Sequence, residues 1–149
     1  MSKVCAIYHI VINTKNRRMT IPEEHKRELY QYLHGIILHK QCKTLRINGI
    51  PNHIHLLVEL NPTLSISELV QTLKQNSSRW LKCNTNFPDF ESWGKEYYAF
   101  TISKSAENSI IEYIKGQTEH HRSGAIDFES EMKAICAEFG IDWHPGALT

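Results

Sequence analysis

Residues 53–60, His-Ile-His-Leu-Leu-Val-Glu-Leu, alternate so regularly that they fit a strand of a sheet with two chemically different faces. Ile54, Leu56, Val58 and Leu60 share one face, and His53, His55, Leu57 and Glu59 share the other. The apolar face needs helices to cover it, while the other face carries two imidazoles side by side. Gly49, Ile50, Pro51 and Asn52 come just before and have the composition of a turn. Residues 43–49 alternate as well, with Leu45 and Ile47 expected on one face and Arg46 and Asn48 on the other. The two segments predict a β-hairpin.

The rest of the chain supplies partners for that hairpin. Residues 4–12 (VCAIYHIVI) are nearly continuously apolar and β-branched, as in a central strand. A polar break follows. Thr20, Pro22 and Glu23 then predict a helix start, with Thr20 as N-cap and Glu23 as its capping-box partner. Leu29, Leu33, Ile36 and Ile37 give that helix a buried stripe. Ser65 and Glu68 repeat the capping spacing before a second helix, whose buried side is Ile66, Leu69, Val70, Leu73 and Trp80. Residues 83–96 read as a loop and residues 97–103 as a fourth strand. A helix over about 106–121 carries Ile110, Ile111 and Ile114, and a last one over about 128–139 carries Phe128, Met132, Ile135 and Phe139 before Gly140. The order is βαββαβ followed by two helices. That predicts an α+β fold, a ferredoxin-like (RRM-like) antiparallel sheet with additional C-terminal helices. Both crossover helices should cover one sheet face and leave the other to carry a site.

Size and composition agree with a single domain over residues 1–149. Hydrophobic residues make up 41% and charged residues 22%, an ordinary globular balance. The apolar start reads as a strand, not a signal peptide, because Tyr8 and His9 interrupt it and no cleavage site follows. Cys5, Cys42, Cys83 and Cys136 form no C-x-x-C pair, which argues against a disulfide framework or a structural zinc site and for a cytoplasmic location. A net charge of +1 argues against binding nucleic acid by gross charge alone. Basic residues do cluster locally, at Lys15, Arg17 and Arg18 and again at Lys40, Lys43 and Arg46.

Two motifs carry chemistry. Neutral imidazoles at i and i+2 of a strand can chelate one divalent metal, although the same pattern also suits a polar surface pair or a satisfied core pair. The second motif is Tyr113-Ile114-Lys115-Gly116-Gln117, where Tyr113 and Gln117 stand one helical turn apart. A phenol can attack phosphorus and form a covalent intermediate, and a glutamine carbonyl can join a hard-metal shell. Gly116 clears space where a backbone could approach. Taken alone, Tyr113 also reads as the rim of an amphipathic helix.

Together the motifs resemble the single-tyrosine HUH transposases, the bacterial insertion-sequence transposases of the IS-two-hundred type and their REP-associated relatives. HUH denotes histidine, bulky apolar residue, histidine, here His53, Ile54 and His55. The resemblance spans nearly the whole chain. It includes the first strand, Ser77-Ser78-Arg79-Trp80, the W-G-x-x-Y-x-A-F-x-x-S segment of residues 93–103, and Glu119-His120-His121 after the tyrosine. Asn52 stands where many members have an acidic residue.

The resemblance implies a DNA transposase. His53 and His55 would bind Mg²⁺ or Mn²⁺, with Gln117 completing the protein ligands. Tyr113 would cut single-stranded DNA beside a hairpin, leaving a 5′-phosphotyrosine and a free 3′-hydroxyl that can reverse the step. Two element ends need two tyrosines, which implies a homodimer, with active sites that subunits can share. Lys15, Arg17, Arg18, Arg46 and Arg79 are the candidates for phosphate contact, and Trp93, Tyr97 and Phe90 for stacking on unpaired bases. The candidates for a general base are His9, His120 and His121. The alternatives are a non-catalytic RRM-like nucleic-acid-binding module, a HUH nickase of the replication or relaxase kind, and a domesticated relative acting on host repeats.

Overall fold

The computed structural model describes residues 2–122 and 127–143, with the side chains of residues 120 and 122 outside that description. The strands are β1 (Ile7–Asn13), β2 (Lys43–Ile50), β3 (His53–Glu59) and β4 (Tyr98–Ile102). They form one antiparallel sheet in the order β2-β3-β1-β4. The helices are α1 (Lys26–His39), α2 (Ile66–Lys82), α3 (Glu107–Lys115), α4 (Gln117–Arg122) and α5 (Phe128–Glu138). This is the expected α+β architecture. Among the described residues, no helix is long and apolar enough to cross a membrane.

The alternation in β3 works as the periodicity requires. Ile54, Leu56 and Val58 are fully buried with Leu29, Leu33 and Ile37 of α1 and Leu69, Val70 and Leu73 of α2. His53 and His55 point the other way. That second face is not left open: α3, α4 and α5 cover it, and both imidazoles are 0% exposed. The apolar residues Ile110, Ile111 and Ile114 seal α3 onto Leu57 and Ile7. Gly49, paired with Ile54, permits the tight hairpin, since a Cβ there would lie 2.2 Å from the His53 carbonyl oxygen.

Several local expectations are corrected. A β-bulge between Thr44 and Arg46 takes up Leu45. Leu45 therefore packs with Leu57 and Ile114, while Ile47 joins the α1/α2 side, so the two do not share a face. Thr20 does not cap a helix; it is buried, a short 3-10 turn spans Glu23–His25, and α1 starts at Lys26. The Ser65 cap is formed, with the Glu68 amide donating to Ser65 Oγ at 3.1 Å. The single helix expected over 106–121 is broken at Gly116 into α3 and α4. The 83–96 loop supplies core: Phe87, Phe90 and Trp93 are all buried. Gly140, at φ 68, follows the end of α5 as expected.

Candidate active site

β3 positions the two histidines, and each is oriented by a neighbour. Asn52 Nδ2 donates to the Arg17 carbonyl at 3.4 Å, which leaves Asn52 Oδ1 2.8 Å from His53 Nδ1. An amide oxygen only accepts, so Nδ1 carries the proton and the lone pair of neutral His53 sits on Nε2. His55 Nδ1 lies 2.7 Å from His9 Nε2, a contact made by the pairing of Val11 with His55 across adjacent strands. When His55 Nδ1 donates to His9, its Nε2 is also free to act as a ligand. His9 is thus a buried orienting partner. Burial holds His53 down to about 4, and burial with the neighbouring His55 holds His9 down to about 3.

α3 and α4 bring in Tyr113 and Gln117. The break at Gly116 is stabilised from β2: Asn48 Nδ2 donates to the carbonyls of Ile114 and Lys115, both at 3.1 Å. Lys26 of α1 adds a second tie to Thr118 of α4 at 3.0 Å. The Tyr113 ring then stands over His55, centroid to centroid 5.8 Å, and 6.2 Å from His9. Gln117 Oε1 lies 3.2 Å from His53 Nε2.

The centre of the cluster is Glu131 of α5, which the motif reading does not include. Its Oε1 is 3.1 Å from His53 Nε2, 3.4 Å from His55 Nε2 and 3.3 Å from His121 Nε2. Its Oε2 accepts from Gln117 Nε2 at 2.6 Å and from the Tyr113 hydroxyl. The side chain is 1% exposed. Burial pushes this carboxyl up, and a proton on the facing nitrogen of His121 favours its ionised form. Burial, with the charge of Glu131, pushes the Tyr113 phenol well above its ordinary value. A sequence signal existed: Phe128, Glu131, Met132 and Ile135 follow one helical stripe, so an acid sits where an apolar residue is expected.

The donor set suits a divalent cation. His53, His55 and Glu131 offer ligand atoms within 4.8 Å of one another, and all three are buried. The Gln117 oxygen joins them, fixed by its own amide donating to Glu131. Mixed nitrogen and oxygen donors of this kind can hold a divalent ion, whereas the cysteine of α5, Cys136, belongs to an apolar cluster with Met132 and Phe128.

The other candidates are dispersed. Lys15 and Arg18 are exposed and pair with Glu91 at 3.4 and 3.3 Å, and Arg17 is half-buried at φ 57. Their turn packs on the Pro51–Asn52 turn at the end of the sheet that carries His53. Arg46 is half-buried on β2. Arg79 is exposed on α2, which covers the opposite face of the sheet, so it does not join the histidine site. Trp93 is 7% exposed, and its indole N–H donates to Ser77 Oγ at 2.9 Å. Its ring packs with Phe90 in the core cluster and borders a surface pocket that Arg79 also lines. Phe90 is likewise buried, while Tyr97 is half-buried. Of the general-base candidates, His121 reaches Glu131, and the side chain of His120 lies outside the described residues.

The fold thus places a sheet-borne histidine pair, a buried carboxylate and a tyrosine hydroxyl in one cluster, and comparison with known proteins gives the class. Residues 2–117 match the family described as "Transposase IS200 like". The chain is 31% identical over 122 residues to the transposase for insertion sequence element IS200 of Salmonella typhimurium, covering 78% of this chain and 80% of that one. It is 25% identical over 117 residues to the ISDra2 transposase TnpA of Deinococcus radiodurans, covering 74% and 82%. In fold it is similar to a REP-associated tyrosine transposase bound to a REP hairpin, with a TM-score of 0.62 at 15% identity over 81% of this chain and 74% of that one. The protein belongs to the IS200-like transposase family. It is therefore an enzyme of DNA transposition, with endonuclease and strand-transfer activity.

Proposed function

We propose that this transposase cuts and rejoins single-stranded DNA in a metal-dependent reaction, with Tyr113 as nucleophile. The observation that carries the reading is the convergence, within one chain, of the Tyr113 hydroxyl and the ligand atoms of His53, His55 and Gln117 on Glu131. Oxygen and imidazole donors at this spacing would hold Mg²⁺ or Mn²⁺. Such an ion supplies polarisation of the scissile phosphate and neutralises its developing charge.

The chain's own residues supply the remainder. Asn52 and His9 hold the imidazoles in the ligating tautomer. Asn48 and Lys26 hold the tyrosine helix over them. The Tyr113 oxygen attacks phosphorus, the P–O3′ bond breaks, and the products are a 5′-phosphotyrosine and a free 3′-hydroxyl. No water is consumed, so a second 3′-hydroxyl can reverse the step, as rejoining demands. With its affinity for protons raised by burial and Glu131, the phenol is protonated at neutral pH until positive charge offsets the carboxylate. A cavity of about 510 Å³ bordered by His9, Ile110, Tyr113 and Glu131 adjoins the phenol and offers a path for a strand.

The REP hairpin bound by the structural relative supports hairpin-bearing DNA as substrate, and the need for one tyrosine at each of two element ends argues for two copies of the chain acting together. Lys15, Arg17, Arg18 and Arg46 are the basic groups best placed to meet phosphates. The test is covalent capture. Protein with Mn²⁺ and a hairpin-bearing single strand should yield a protein–DNA adduct on denaturing gels. Tyr113→Phe should abolish it while retaining binding, and His53→Ala with His55→Ala should abolish its dependence on metal. An undiminished adduct in Tyr113→Phe would assign the nucleophile elsewhere.

A further inference from the structure

Three acceptor atoms of this site face one another in a way that hydrogen bonding does not explain. The partner of His53 Nδ1 is the Asn52 oxygen, so neutral His53 turns a lone pair, not a proton, from Nε2 toward Glu131 Oε1 at 3.1 Å and Gln117 Oε1 at 3.2 Å. The Gln117 oxygen cannot be exchanged for its nitrogen, because that nitrogen donates to Glu131 Oε2 at 2.6 Å. Buried acceptors so placed repel one another unless a cation lies among them. The ion-pair partners of Glu131 among the described side chains are all histidines, with no lysine or arginine. Three of the spacings match those of a coordination shell. Cis ligands of an octahedral ion with bonds of about 2.1 Å stand roughly 3.0 Å apart. The observed separations from His53 and His55 to Glu131, and from His53 to Gln117, are 3.1, 3.4 and 3.2 Å.

We propose that Glu131 is a fourth protein ligand of the ion and ties the nucleophile to it, with Oε1 in the shell of His53, His55 and Gln117 and Oε2 on the Tyr113 hydroxyl. This rests on the metal-dependent reading above and adds to it. The ligand arrives on α5, outside the residues 2–117 that match the family. Glu131 also supplies the anionic charge that two imidazoles and an amide lack, which suits a hard cation. Four protein ligands would still leave room on the ion for substrate oxygen or water. Docking of α5, through Phe128, Met132 and Cys136 against Val11 and Phe100, thereby assembles ion site and nucleophile together.

The direct test needs no substrate. Mn²⁺ alone is titrated into the full chain, with bound ion read from loss of the free-Mn²⁺ EPR signal. Glu131→Gln keeps the shape and should weaken binding by at least about tenfold. Glu131→Asp should recover part of the loss, and Tyr113→Phe should stay within about threefold of wild type. In single-turnover adduct formation, Glu131→Gln should remain slower at saturating Mn²⁺, because the tie to Tyr113 is lost as well. A site built from the wild-type chain gives an independent reading: crystals soaked in Mn²⁺ should show an anomalous peak about 2.2 Å from the Glu131 carboxylate. Wild-type affinity in Glu131→Gln, or a peak remote from Glu131, combined with loss of binding in His53→Ala, would overturn the role of Glu131 and leave the histidine site standing. No Mn²⁺ binding by wild type would overturn both.

Discussion

At the scale of single residues, the site is a buried polar cluster whose protonation is set by its surroundings. His53 and His9 are held at about 4 and about 3, against 6.5 in an unfolded chain, chiefly by burial. Because the folded values are depressed, the unfolded chain takes up protons first as pH falls. The stability is fully present above pH 6.5 and is lost as pH drops toward 4, at roughly 1.4 kcal/mol per pH unit for each histidine. Urea melts of the chelator-treated protein should therefore show a midpoint that falls steadily from pH 6.5 to 4.5, with a shallower slope in His9→Gln. A midpoint that stays flat over that window would contradict the assignment of neutral, buried imidazoles. The two histidines were legible in the sequence because alternation in β3 places both on one face. Their orienting partners were not, because His9 meets His55 only through strand pairing, and Asn52 reads simply as a turn residue. Glu131 escaped because no local pattern ties α5 to β3, although an acid inside its apolar stripe marked it as unusual.

At the scale of elements, the tyrosine helix is useful only if its end is fixed. Asn48 does this from β2 by satisfying two carbonyls at the α3 terminus, so that the chain turns at Gly116 and Gln117 still faces His53. Asn48→Ala should cost about 1–2 kcal/mol in stability, the usual range for two hydrogen bonds. It should slow adduct formation at saturating Mn²⁺ by about tenfold while changing Mn²⁺ affinity much less. Equal losses in rate and affinity would mean that the clamp serves the ion site and not the nucleophile. The βαββαβ order, the caps at Ser65 and Gly140 and the buried stripes of α1 and α2 all followed from periodicity. The bulge at Leu45 and the break at Gly116 did not, since both depend on partners distant in the chain. The 83–96 loop shows the same limit: Phe87, Phe90 and Trp93 lie in an irregular segment with no period to mark them as core.

At the scale of the whole molecule, the sheet separates two tasks. One face, under α1 and α2, is a conventional apolar core; the other is closed by α3, α4 and α5 around a polar site. In this arrangement Tyr113 reaches the histidines of its own chain. Mixing Tyr113→Phe protein with the His53→Ala, His55→Ala double variant should then restore no adduct, whether or not the chain is a dimer. Restored adduct would show that subunits exchange their tyrosine helices. The central claim is the covalent one, and it is read most directly by peptide mass spectrometry after reaction with Mn²⁺ and a hairpin-bearing single strand. The peptide containing Tyr113 should carry a 5′-phosphonucleotide on that tyrosine and no other residue should be modified; cleaved DNA with an unmodified Tyr113 would contradict the account.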